Sequence, residues 1–213
     1  MSVSLNKRGV IVKSVLMTGF DPFGGETVNP ASRAVSKLAG KVIDGHRIIT
    51  KEIPTVFGKS AYAVEQAIRE LNPNLVISVG QAGGTHAIRV ERLAVNIDDA
   101  RIPDNEGNQP KDAATAVDGP VAYWSTLPVR KIVDELTNSR VPAFISYTAG
   151  TYVCNHVFYS ASHFVAVNQL HTKVGFIHVP FLPEQVIDKP PTPSMSEEMI
   201  VQALEIIVAV CTG

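Results

Sequence analysis

From Val15 onward the chain alternates between two kinds of segment, short apolar runs of β type and stretches with helical periodicity, separated by turns rich in Gly, Asp, Asn and Pro. Such a chain buries its apolar runs as neighbouring strands of a mostly parallel sheet, with helices packed on both faces. Val15-Leu-Met-Thr-Gly-Phe20 is one such run, stopped by Asp21-Pro22 and Gly24-Gly25. Asn29 followed by Pro30 then marks a helix start. Asn accepts from the first free amides and Pro loses no hydrogen bond at the first helical position, so Ala31 to Leu38 is expected to be helical. Arg47 to Ile53 reads as a strand, and Ser60 to Leu71 as a helix with Ala61, Val64, Ile68 and Leu71 on one face, stopped by Pro73.

Leu75 to Val79 is a further strand ending in Gly80-Gln-Ala-Gly-Gly84, and Val90 to Ile97 reads as a single strand. Asp98 to Pro120 carries almost no periodicity and is expected to be a long functional or mobile loop. Val129 to Leu136 reads as a helix and Ala143 to Tyr147 as a strand. Asn155 to Val167 reads as a helix with Val157, Phe158, Ala161, Phe164 and Val165 facing inward. Val174 to Val179 is the last strand. Ser194 and Glu197 have capping-box spacing ahead of a final helix over Met199 to Val210.

With 213 residues, 45% of them hydrophobic, the chain can bury one sizeable core, and a single domain over 1–213 with a lead-in at 1–14 is expected. The 19 basic and 20 acidic side chains nearly cancel, to a net charge of -1. That balance offers no field for nucleic acid or an anionic membrane, and neither is expected as a partner. Lys13 interrupts the apolar run from Gly9 to Phe20 and no small-residue cleavage site follows, so this run is not read as a signal peptide. Nothing approaches the ~18 consecutive apolar residues of a membrane span. Cys154 and Cys211 make no disulfide framework, and neither CxxC pairs nor HExxH occur. No metal is expected, and the expected compartment is the reducing cytoplasm.

In an open α/β sheet, ligands collect at the carboxyl ends of strands. Four loops are assigned there: Asp21 to Asn29, Gly80 to Gly84, Thr148 to Cys154, and the segment after His178. Cys154 ends a Thr-Ala-Gly-Thr turn ahead of the helix expected near Asn155, where the positive end of a helix dipole favours a thiolate. Unpaired cysteines also serve as small buried hydrophobes, and position alone leaves both roles open. A cysteine nucleophile needs a base. Of the six histidines, His156 is nearest in sequence, but two residues along a helix is a rotation of about 200°, which turns its ring away. His178 closes the strand Val174 to Val179, expected beside the strand preceding Cys154, and reads either as that base or as a satisfied core residue. His46, His86, His163 and His171 read as loop or surface positions. Glu91, in Ile88-Arg-Val-Glu-Arg-Leu-Ala-Val95, is the acid best suited to burial behind an imidazole. It reads equally as an exposed strand residue paired with Arg89 or Arg92, and periodicity does not choose.

Several motifs taken together resemble one family. They are Thr18-Gly-Phe-Asp-Pro-Phe-Gly-Gly25 with Asn29-Pro30, Val79-Gly-Gln-Ala-Gly-Gly84, and Glu91-Arg92 with Asn96. Further on come Ala100-Arg-Ile-Pro-Asp-Asn105, Thr148-Ala-Gly-Thr-Tyr-Val-Cys-Asn155 and Gly175-Phe-Ile-His-Val-Pro180. In order, from about Val15 to Gln185, they resemble pyroglutamyl peptidase type I, also called pyrrolidone carboxyl peptidase. The resemblance implies a three-layer α/β/α sandwich with a mostly parallel twisted central sheet. It implies a cytoplasmic cysteine peptidase that removes an N-terminal pyroglutamyl residue from peptides, without metal or organic cofactor.

Carried over by motif, Cys154 is the nucleophile, His178 the general base and later acid, Glu91 the acid that orients it, and Arg101 a group near the developing oxyanion. Phe20 and Phe23 resemble the aromatics that clamp the ring. Gln81 resembles the loop residue near the lactam, and Tyr152 and Val153 would line the pocket. The partners implied are peptides with N-terminal pyroglutamate, and the family includes homotetramers as well as monomers. The chain departs from the pattern in its longer lead-in, Met1 to Ser14, and at Thr85-His86. Cys211 lies beyond the matched region and receives no role. Two other readings compete: a phosphorylase-like transferase that uses the Gly-rich loops, though neither has the Walker or dinucleotide spacing, and a binding protein with a Phe20/Phe23 pocket and an inert cysteine.

Overall fold

β1 (Lys13–Phe20), β4 (Leu75–Gln81) and β9 (Lys173–Val179) lie side by side in parallel, with only their first residues exposed or none at all. The computed structural model describes residues 13–213, so most of the expected lead-in lies outside the described residues. Strands with no solvent face need a layer on each side. They form the centre of a seven-stranded sheet that also holds β2 (Val42–Ile43), β3 (His46–Ile53), β5 (Ile88–Glu91) and β8 (Ala143–Ser146), in the order β2-β3-β1-β4-β9-β5-β8. Four of its six pairings are parallel; β2 with β3 and β5 with β9 are antiparallel. The expected three-layer α/β/α class is what the chain adopts.

The period of two divides the sheet. Val15, Met17, Ile77, Val79, Ile88, Val90, Ile177 and Val179 pack with α1 (Pro30–Ser36), α3 (Val129–Asn138) and α5 (Glu197–Thr212). Leu16, Phe20, Val76, Val174 and Phe176 pack with α2 (Lys59–Leu71) and α4 (Val153–Val167). By the same parity Gly80, Arg89, Glu91 and His178 fall on the α4 face. Alternation alone therefore gathers three polar side chains and a bare glycine under the helix that carries Cys154.

Asn29 caps α1 as expected. Its Oδ1 accepts from the Ala31 amide at 3.0 Å and its Nδ2 donates to the Asp21 carbonyl at 3.1 Å, which ties the first loop to the helix it feeds. α1 then presses on β1 at Gly19, where a Cβ would stand 2.6 Å from Ser32 Cα and 2.8 Å from Ser32 N. Those are backbone atoms of a packed helix and cannot swing aside. Gly19→Ala is expected to cost on the order of 2–3 kcal/mol, as overpacking does. In a chain of this size that is a fall in Tm of roughly 4–12 °C. An unchanged thermal melt would refute the close packing of α1 on β1.

Elsewhere the elements differ in detail from expectation. The single strand expected over Val90 to Ile97 is two: β5 ends at Glu91, and after Arg92 the chain enters β6 (Leu93–Val95), which pairs with β7 (Ala122–Trp124) in a separate two-stranded ribbon. The alternation breaks at Arg92, a polar residue directly after Glu91, and Leu93-Ala-Val95 follows as a continuous apolar run, but a break in period does not by itself name a new partner. α5 is capped by Ser196, whose Oγ accepts from the Met199 amide at 3.3 Å, and not by Ser194. β9 does not adjoin β8, since β5 lies between them. β8 runs against β9, so the Thr148 to Cys154 segment does not leave the sheet in the direction of the loops after β1, β4 and β9.

Candidate active site

The register of β4 on β9 sets Gly80 opposite His178. A Cβ on Gly80 would fall 2.9 Å from Cys154 Sγ and 2.9 Å from Phe176 Cζ. A bare backbone at Gly80 is therefore what lets the sulfur settle on the sheet beside the imidazole. His178 is 5% exposed, with its ring centroid 4.8 Å from that of Phe176.

β5 supplies the acid. It pairs antiparallel with β9, with Arg89 opposite His178 and Glu91 opposite Phe176, so Glu91 sits diagonally from the histidine on the same face. Its side chain is wholly buried, and Oε1 lies 2.8 Å from His178 Nδ1. A carboxylate only accepts, so Nδ1–H is the donor and Nε2 is left able to take a proton. Of the two readings of Glu91, burial behind an imidazole is the one the fold realises.

Cys154 lies in the first turn of α4, one residue ahead of the start expected at Asn155, and the helix begins after Tyr152 without a side-chain cap. The first amides of such a helix have no intrahelical partner. The sulfur's surroundings oppose the helix end: burial first, then the Glu91 charge, push the Cys154 thiol up to about 12, and Arg89 and a backbone amide pull it down. Burial and the Glu91 charge thus favour the neutral thiol, against the pull of the helix end.

A cavity of about 470 Å³ opens over these groups, lined by Phe23, Gln81, Arg101, Tyr152, Cys154 and His178 among others. Six of the nine residues singled out in the sequence therefore meet at one surface, and Glu91 stands directly behind it. Phe20 and Val153 do not reach the wall. They are 2% and 0% exposed and sit in the apolar layer behind it, Phe20 with its centroid 6.2 Å from Phe176. Phe23 and Tyr152 face one another with ring centroids 6.1 Å apart, Phe57 packs edge-on against Tyr152, and the Tyr152 hydroxyl donates to the Pro103 carbonyl at 3.0 Å. Gln81 Oε1 accepts from Gln185 Nε2 at 3.0 Å. The sequence reading missed Arg89, Ile102 and Ala149 as wall residues. Ala149 belongs to a quoted motif, but an Ala in a turn carries no side-chain signal.

His156 is turned away from the sulfur, as the helical rotation requires. Its Nδ1 lies 2.8 Å from Asp98 Oδ2, and its Nε2 accepts from the Gly58 amide at 3.0 Å, so both ring nitrogens are occupied. The Asn155 side chain accepts from Val95 N and donates to the Val95 and Ile97 carbonyls. The long loop that follows is cross-tied: Asp98 and Ala113 exchange backbone hydrogen bonds, and Asp104 accepts from the Phe57, Glu106 and Asn108 amides. Burial raises the Asp104 carboxyl, but these hydrogen bonds outweigh it and hold it below its usual value. This loop delivers Arg101 and Ile102 to the cavity. Among the described residues no three His, Cys, Asp or Glu side chains form a group that could hold a metal ion.

A family model described as pyroglutamyl peptidase matches residues 13–212. A pyrrolidone-carboxylate peptidase of Bacillus cereus is 52% identical over 201 residues, covering 94% of this chain and 94% of the relative. One from Bacillus cytotoxicus is 51% identical over 199 residues, with 93% of each chain covered. The crystal structure of Bacillus amyloliquefaciens pyroglutamyl peptidase I is 46% identical and superposes with a TM-score of 0.91, covering 94% of this chain and 97% of that one. A mutant pyrrolidone carboxyl peptidase from Pyrococcus furiosus gives 0.90 at 44% identity, over 93% and 97%. With the family model spanning nearly the whole described chain and relatives above half identity, this chain belongs to the pyroglutamyl peptidase family of cysteine peptidases.

Proposed function

We propose that the chain hydrolyses the bond following an N-terminal pyroglutamyl residue of a peptide, with Cys154 as nucleophile, His178 as base and acid, and Glu91 as the group that orients His178. The observation that carries this reading is the convergence of Cys154 and His178 on one cavity, with the His178 Nδ1–H held by a wholly buried carboxylate. Neither a phosphorylase-like transferase nor a simple binding site requires that arrangement.

The steps follow from the groups present. As the Cys154 sulfur attacks the pyroglutamyl carbonyl carbon, its proton passes to His178 Nε2 and the carbonyl oxygen becomes an oxyanion. Arg101 and the free amides at the start of α4 stabilise that charge. The C–N bond breaks as His178 returns the proton to the departing amine, which leaves a thioester. Water then attacks the thioester, His178 takes a proton from it, and the free acid and the thiol are regenerated. Glu91 keeps the ring in the donor–acceptor orientation throughout.

The pyroglutamyl group is a flat, neutral five-membered lactam, and the cavity suits it. The Phe23 and Tyr152 rings supply apolar faces. Gln81 offers its NH₂ to the ring carbonyl, since its own oxygen is taken by Gln185. Phe20 and Val153 act from behind, as the packing that fixes those walls. The same reading carries further parts: no metal or organic cofactor, a cytoplasmic location, one peptidase domain, and assembly as a homo-oligomer, a tetramer by likeness to the family. Among the described residues no helix is long and apolar enough to cross a membrane.

The test is hydrolysis of a fluorogenic pyroglutamyl amide beside the same amide of proline. Release from the pyroglutamyl amide alone is expected, because proline lacks the ring carbonyl and carries a cationic amine. Equal release from both, or none from folded and reduced protein, would overturn the assignment.

A further inference from the structure

The proposed mechanism leaves one conflict unresolved. The imidazole needs the Glu91 carboxylate behind it, but that buried negative charge also opposes formation of the Cys154 thiolate. Arg89 stands where it can settle that conflict. It precedes Glu91 by two residues on the same face of β5 and is the register partner of His178. Its side chain is 25% exposed, its Nε lies 3.4 Å from Glu91 Oε1, and Nη2 donates to Ser146 Oγ at 3.0 Å and to the Thr148 carbonyl at 2.9 Å. Among the described residues Arg89 Nε and Glu91 Oε2 have no hydrogen-bond partner, so the guanidinium faces the carboxylate as a charge more than as a hydrogen-bond donor. Thr148 opens the turn that ends at Cys154, and Arg89 itself lines the cavity.

We infer that Arg89 is a positioning residue for thiolate formation: its guanidinium fixes the Thr148 end of the nucleophile's turn and offsets the Glu91 charge where the sulfur must ionise. The inference rests on the roles proposed above for Cys154, His178 and Glu91. The charged and titratable groups facing the sulfur are Glu91 and Arg89 from β5, His178 from β9, Tyr152 from the turn ahead of α4 and Arg101 from the long loop. Glu91 raises the Cys154 thiol and Arg89 lowers it. Tyr152 stays neutral, since burial first, and then Asp104, Cys154 and Asp21, push its phenol up to about 12. Arg101 is exposed, so water and salt weaken its reach. Arg89 is the shielded cation of the set. Its charge is permanent, and its fork reaches the carboxylate and the Thr148 turn at once, which a lysine ammonium cannot do.

Alkylation of Cys154 by iodoacetamide, followed on the Cys154 peptide by mass spectrometry across a pH series, tests this without any substrate. An S–C bond forms, iodide leaves and the thiol proton goes to solvent, so the rate follows the thiolate. In folded Arg89→Gln the rise of alkylation with pH is expected about one pH unit higher, roughly tenfold slower at any pH below it, because one pKa unit changes the thiolate fraction tenfold. Arg89→Lys is expected to restore the wild-type pH profile while turnover of the pyroglutamyl amide stays several-fold low in kcat with KM unchanged, since the charge returns without the fork. A wild-type alkylation profile in Arg89→Gln would reduce Arg89 to a structural strut and overturn the inference. So would an Arg89→Lys enzyme with full kcat, or one whose alkylation profile lies as high as that expected for the glutamine variant. If the pyroglutamyl amide is not a substrate, the alkylation profiles still decide the role of Arg89, so the two readings fail separately.

Discussion

Cys154→Ala is expected to lower kcat/KM for a pyroglutamyl amide by about 10⁴-fold or more, the scale seen when a covalent nucleophile is removed from a triad. Its thermal melt should stay close to wild type. The side chain contributes one sulfur against the bare Gly80 backbone, and losing it opens little space. Cys154→Ser is expected to be almost as inactive, because a hydroxyl at its ordinary pKa gives up its proton less readily than a thiol and the site has been arranged around sulfur. Steady-state kinetics with parallel thermal melts decide the matter. A folded alanine variant with near-normal turnover would remove Cys154 from the chemistry and, with it, the acyl-transfer mechanism.

His178→Ala is the second large effect, a fall of roughly 10³–10⁴-fold in kcat, since the same ring takes the thiol proton and delivers it to the leaving amine. The sign of its pH dependence follows from the thiol. With Cys154 pushed up to about 12 and no base beside it, the thiolate is scarce at neutral pH. The residual rate of the variant should therefore climb through the alkaline range, while the wild type, which has a partner for the proton, does not need that climb. Glu91→Gln should fall less than His178→Ala, because it disturbs the orientation and charge behind the ring but leaves the base in place. Measured kcat values in the reverse order, with glutamine at 91 the more damaging, would contradict these roles.

The sequence carried the layers of this fold clearly and its connections poorly. Asn29-Pro30 announced α1 because both residues act locally, through one side-chain acceptor and one fixed φ. Parity in β4, β5 and β9 placed Gly80, Glu91 and His178 on a common face for a similarly local reason. What stayed hidden depends on partners distant in sequence. At Arg92 the alternation breaks, since it follows Glu91 directly, but the break alone does not say that the chain changes sheets there. β2 and β7 are two and three residues long, too short for any period. The reversed direction of β5 and β8 is set by which neighbours they find, which no local pattern records. The motifs for Cys154, His178, Gln81, Tyr152, Phe23 and Arg101 brought those residues to one cavity, but Phe20 and Val153 share their motifs and stand one layer deeper, because successive residues alternate faces on a strand and turn by about 100° on a helix. Arg89 reads in sequence as a partner for Glu91, whereas its place on the cavity wall and its bond to the Thr148 carbonyl depend on contacts distant in the chain.

The first turn of α4 has one more implication. Cys154, Asn155 and His156 follow one another at about 100° of helical rotation each, so they point to three different sectors. One meets the cavity, one grips the backbone at Val95 and Ile97, and one grips Asp98 and Gly58. A cylinder held on two sides cannot roll. The azimuth of the sulfur is thus keyed by its two neighbours in sequence, in the way a spline fixes a shaft, and exchanges at Asn155 or His156 bear on where the sulfur points rather than on how acidic it is.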